Sequence, residues 1–105
     1  MATGFPHEQL DCYRLAVEVA CWMGRAKFPP GCADLADQGR RAARSVPLNI
    51  AEAVKQGQAG TNHFRIALGS AAEACAVLDL VDLPEGAEQQ DKLRRIGAML
   101  RRLGG

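Results

Sequence analysis

Aromatic residues are scarce in this chain, with three Phe, one Trp and one Tyr among 105 residues. Runs of β-branched residues are few as well, and the abundance of alanine and leucine favours helices over strands. Charge of one sign is missing too. Thirteen Lys and Arg face twelve Asp and Glu, so the formal net charge is only +1 and the molecule as a whole has no strong pull towards nucleic acid or membrane. No apolar run approaches the roughly 18 residues that span a bilayer. The chain opens without a basic region followed by an apolar stretch, so no secretory signal is expected and the cytoplasm is the expected location. One domain over residues 1–105 fits the length.

The usual signatures of chemistry are absent. There is no glycine-rich phosphate loop, no GxSxG and no HExxH. A di-iron bundle would need Glu-x-x-His pairs on facing helices, and none occurs. His7 lies near the chain start and His63 beside a helix start, each read as a surface histidine. Cys12, Cys21, Cys32 and Cys75 stand 9, 11 and 43 residues apart, which matches neither a CxxC redox pair nor a zinc finger. They read as free thiols used as small hydrophobes. No catalytic residue, metal or cofactor is expected.

What is present centres on Arg40 to Ala53, RRAARSVPLNIAEA. Apolar residues keep a helical period on both sides, yet Pro47 sits in the middle. Proline lacks the N–H and crowds the carbonyl four residues back, at a cost of about 3 kcal/mol, so the helix is expected to kink or break there. Ser45, Asn49 and Glu52 follow at spacings of four and three, which stacks them on one face. That stripe reads as a polar network fixing helix register, completed by Ser70 and Glu73 from the next helix.

Four amphipathic helices are predicted, at about 9–28, 32–56, 61–83 and 86–103. Phe28-Pro29-Pro30-Gly31, Gln56 to Gly60, and Leu83-Pro84-Glu85-Gly86 separate them. Short connections make an antiparallel up-down four-helix bundle the expected architecture. The first helix is apolar over a wide arc, and Trp22 beside Met23 is expected to form an exposed interface patch.

The bases are unevenly spread. Residues 61–83 carry one base and three acids, whereas 84–105 carry five bases and three acids. Glu88 to Lys92 and Asp91 to Arg95 are i,i+4 pairs, but Arg94, Arg101 and Arg102 have no acidic neighbour downstream. With Arg40, Arg41, Arg44 and Lys55, these bases (Lys92, Arg94, Arg95, Arg101, Arg102) are the candidate contacts to RNA phosphates. No aromatic stacking platform lies in the last helix, so sequence-specific base reading is not expected from it.

Three stretches together resemble a known family. They are Phe5 with Leu10-Asp11-Cys12-Tyr13, the run from Gln38 to Glu52, and Ile66-Ala67-Leu68-Gly69-Ser70-Ala71-Ala72-Glu73. The chain is similar over about residues 5–83 to the small four-helix-bundle proteins encoded in intervening sequences of bacterial 23S rRNA genes. Their relatives include the accessory variability protein of diversity-generating retroelements. Ala53 stands where the family usually has glycine, and Val54 to Gln58 are nearly neutral where it is often more basic. The resemblance implies a kinked antiparallel bundle that assembles into a homo-oligomer, a pentameric barrel, without catalysis. It further implies a basic surface that meets RNA or an RNA-binding protein such as a reverse transcriptase. A protein-binding adaptor or scaffold, docking partners through the apolar face of the first helix, is the alternative expectation.

Overall fold

A computed structural model describes residues 4–104. A single 3-10 turn, Pro6–Gln9, leads into α1 (Asp11–Arg25); α2 (Ala33–Gln56) follows, then a second 3-10 turn, Gly57–Gly60, α3 (Thr61–Asp79) and α4 (Gly86–Arg102). The fold is all-α, with no strand among the described residues. Neighbours run in the order α1, α2, α3, α4 and back to α1, and α2 does not touch α4 among the described residues. No helix there is long and apolar enough to cross a membrane.

Helix ends differ from expectation at the first and third helices, for local reasons. Leu10 is extended at φ −84°, ψ 130°, so α1 starts at Asp11 rather than residue 9. Ala26 is extended at φ −61°, ψ 136°, and α1 stops three residues short of the expected end, ahead of the proline pair. α3 stops at Asp79 instead of residue 83. Pro84 disfavours the α conformation at Leu83, and Leu83 turns back to bury itself in the core.

Of the kink or break expected at Pro47, the break does not occur. α2 runs as one helix of 24 residues with Pro47 buried inside it. Ala43, Val46 and Ile50 on the same side are 1%, 1% and 0% exposed, so burial across this stretch outweighs the local cost of the proline.

The most deeply buried large side chains come from three helices, Val19 and Met23 of α1, Val46 and Ile50 of α2, Ile96 and Leu100 of α4, with Phe64 and Leu78 of α3 also in the core. α3 contributes Ala67, Ala71 and Ala74, so its backbone lies close to its neighbours. Gly39 sits where an added Cβ would stand 3.0 Å from Val77 Cγ1 and 3.2 Å from Met23 Sδ, and a Cβ on Gly60 would run into the Ala53 backbone. Contacts between adjacent helices run in opposite sense along the chain. Gly39 meets Val77, Ser45 meets Ser70 and Asn49 meets His63. Gln90 meets Cys75 while Gly97 meets Leu68, and Glu18 meets Lys92 while Trp22 meets Glu85.

Candidate nucleic-acid interface

The nine bases expected to meet RNA fall into three situations. Arg40 is part of the fold. Its guanidinium donates to the carbonyls of Met23 (3.3 Å) and Ala26 (3.1 Å), satisfying acceptors at the end of α1, and lies 5.7 Å from the centre of the Phe28 ring. An arginine committed to two carbonyls and a ring is a helix clamp rather than a phosphate contact. Lys92 is also committed, reaching Glu18 of α1 at 3.1 Å and Glu88 at 3.7 Å. Arg94 pairs with Asp91 at 3.0 Å on the surface.

Arg41, Arg44, Lys55, Arg95, Arg101 and Arg102 are exposed, and none has an ion pair among the described residues. They do not form one continuous face. Arg41, Arg44 and Lys55 lie on α2, the others on α4, and these helices sit diagonally across the bundle. Lys55 lies in the last turn of α2 and Arg101 and Arg102 in the last turn of α4, whose following Gly104 comes to the first residue of α3, Thr61.

The polar network is real but differently composed. Ser70 Oγ donates to Ser45 Oγ at 2.8 Å, and Asn49 Nδ2 donates to the Ser45 carbonyl and to Ser45 Oγ, each at 2.9 Å. With its amide nitrogen so used, Asn49 offers Oδ1 to His63 Nδ1 at 2.9 Å, which places the imidazole proton on Nδ1. His63 is therefore a half-buried member of the network, not a surface residue. Glu52 accepts from Gln56 Nε2 at 3.0 Å on its own helix, and Glu73 is exposed. Neither has a hydrogen bond across the α2/α3 seam among the described residues, and the hydrogen-bonded network there consists of Ser45, Asn49, His63 and Ser70.

Comparison with known families supplies the deciding observation. Residues 8–102 match the family described as 23S rRNA-intervening sequence protein. The chain belongs to this family. No curated protein matches it. The match reaches Arg102, so α4 is part of the family pattern together with the front of the chain and the α2 and α3 stretches.

In this intervening sequence protein the expected Trp22 and Met23 patch is not a surface feature. Met23 is 0% exposed, because it continues the row Cys12, Ala16, Val19 into the core and packs over Gly39. One residue along a helix turns the side chain by about 100°, and Trp22 is half-buried with its Nε1 donating to Glu85 Oε1 at 3.0 Å. An open groove of about 330 Å3 lies instead between α3 and α4, lined by Leu68, Ala72, Cys75, Gly97, Asp79 and Arg101. Burial pushes the Cys75 thiol above its ordinary range, against the opposing pull of Arg94, so Cys75 is protonated at neutral pH. Among the described residues no cluster of three or more His, Cys, Asp or Glu could hold a metal.

Proposed function

We propose that this member of the 23S rRNA-intervening sequence protein family is a non-catalytic cytoplasmic protein that assembles as a homo-oligomer, a pentamer, and binds RNA through basic surface. Its protomer is an up-down antiparallel bundle, supported by the opposite sense of the contacts between neighbouring helices, with α2 bent at Pro47. The observation that carries the RNA reading is the end of α4. Arg101 and Arg102 are exposed, follow one another, and have no ion pair among the described residues, while the helix dipole sets only about half a negative charge against their two positive ones.

Light scattering of the purified protein, alone and with RNA at low and moderate salt, tests this. The expected result is a stable oligomer that takes up RNA in a salt-dependent way. Arg101→Glu with Arg102→Glu should weaken uptake and lower the slope of log affinity against log salt by about 1 to 1.5, the loss of two phosphate contacts to a single strand. An unchanged affinity and slope would remove the electrostatic reading. A stable oligomer indifferent to RNA would move the assignment to a protein-binding adaptor, meeting an RNA-associated partner such as a reverse transcriptase, and the groove between α3 and α4 would be its open apolar surface.

A further inference from the structure

The two halves of α4 are held differently. Leu93, Ile96 and Leu100 stand in the core, whereas between Leu83 and Leu93 no apolar side chain does. The residues buried in that first stretch of the helix are Gly86 and Gln89. Burial of apolar surface is the main favourable term in folding, so a helix end without it has little to keep it closed.

Two costs fall in the same stretch. Gln89 is 3% exposed, and its Oε1 meets no hydrogen-bond donor among the described residues. An amide oxygen that has left water without gaining a partner weakens the closed state. The second cost is in the backbone. The Gly86 N–H returns to the Leu83 carbonyl at 3.0 Å, Pro84 holds the second place, and Glu85 in the third stands at φ 67°, ψ 4°, the pattern of a type II turn. That third place asks for glycine. Glycine comes one residue late, at 86, and Glu85 is the one non-glycine residue with positive φ among the described residues.

The contacts that hold this stretch down are polar. The Glu85 carboxylate accepts from Trp22 Nε1 at 3.0 Å, Gln90 Nε2 donates to the Cys75 carbonyl at 3.0 Å and to Asp79 Oδ1 at 2.7 Å, and Lys92 reaches Glu18 at 3.1 Å. Water can replace each of these at little cost. A hollow of about 230 Å3, lined by Trp22, Ala26, Lys27, Leu83 and Pro84, lies between the turn and the end of α1, so the turn is not packed down there. Opening releases Glu85 from the left-handed region and lets water reach Gln89. We propose that residues 84–92 are a flap that opens from α1 and α3 as one unit, while Leu93, Ile96 and Leu100 keep the rest of α4 seated. The device is independent of the RNA reading, and the bases in the last turn of α4 stay in place when it opens.

Native-state hydrogen exchange of the full chain, followed by NMR across low urea concentrations, tests this. The amides of Gln89, Gln90, Asp91 and Lys92 should share one opening constant, at least roughly 100-fold larger than that of Ile96 and Leu100. It should depend little on urea, because a flap exposes little surface. Gln89→Leu should slow exchange at Gln90, Asp91 and Lys92 about 5- to 100-fold, since the closed state no longer buries an unpaired amide. Trp22→Phe, which removes the hydrogen bond to Glu85, should speed it about 3- to 10-fold. If these amides exchange with the constant and urea dependence of Ile96 and Leu100, α4 opens only with the whole bundle and the flap is overturned. A graded rise from Lys92 back to Gln89 would be the fraying of a helix end and would overturn it equally. Separate opening that Gln89→Leu leaves unchanged would remove the buried amide as its cause, and the proposal with it.

Discussion

Where α2 turns back into α3 the closest approaches involve small residues. Ala53 lies against Gly60, and Ser45 reaches Ser70 with a single hydrogen bond. Between α1 and α4 contact is made at the surface by long ones, Trp22 to Glu85 and Lys92 to Glu18, over a core of Val19, Ile96 and Leu100. The first seam sets its spacing by backbone meeting backbone, which has no slack. The second sets it by flexible side chains that can repack or turn to water. The two helix pairs therefore respond to substitution in opposite ways, and three variants test the contrast.

Gly60→Ala should cost most. The backbone at Gly60 has φ −81°, which alanine adopts without strain, so the effect is steric alone. The new methyl would collide with the backbone of Ala53, and backbone cannot rotate aside. We expect a loss of about 3 kcal/mol, at the upper end of overpacking costs, which lowers the melting temperature by roughly 10 to 20 °C in a domain of this size. Thermal unfolding followed by circular dichroism measures it. A shift below about 3 °C would mean that α2 and α3 can part, and the contrast between the seams would be lost.

Asn49→Ala comes next. It removes donors from the Ser45 carbonyl and hydroxyl and leaves His63 Nδ1 without its acceptor. The site is half-buried, so water can replace part of what is lost, and a cost of about 1 to 2 kcal/mol is expected. Nitrogen NMR of the His63 ring offers a sharper reading. The proton should sit on Nδ1 in the unaltered protein and redistribute towards Nε2 in the variant; no change would remove Asn49 from the network.

What the sequence showed, and what it hid, follows the reach of each signal. Pro29 with Pro30 and Gly31, Gly57, and Pro84 end helices through their own backbone, so the four helices and their breaks were legible locally. At Pro47 the helix continues because the burial of Ala43, Val46 and Ile50, which depends on distant partners, offsets a cost that is local. Met23 was placed outside because a helix apolar over a wide arc leaves its inward direction ambiguous until its neighbours are known. Among the bases, exposure was the missing quantity. Arg40 differs from Arg41 and Arg44 only in lying over the end of α1. His63 was findable, since counting outward from Ala53 and Gly60, one turn back on α2 and one turn on along α3, brings Asn49 opposite His63.

Lys92→Met should cost least, and for that reason it tests the other half of the contrast. The Lys92 side chain is 22% exposed, but its partners Glu18 and Glu88 are 56% and 63% exposed, so solvent screens both pairs. Ion pairs of this kind contribute about 0.2 to 1 kcal/mol. Methionine keeps the buried stem of the lysine in place, so little packing is lost with the charge. The melting temperature should fall by no more than about 5 °C at low salt, and the difference from the unaltered protein should shrink as salt shortens the range of the attraction. A loss as large as that of Gly60→Ala, persisting in high salt, would show that Lys92 fixes the position of α1 on α4 by packing. The seam of long side chains would then be as unforgiving as the seam of glycine and alanine.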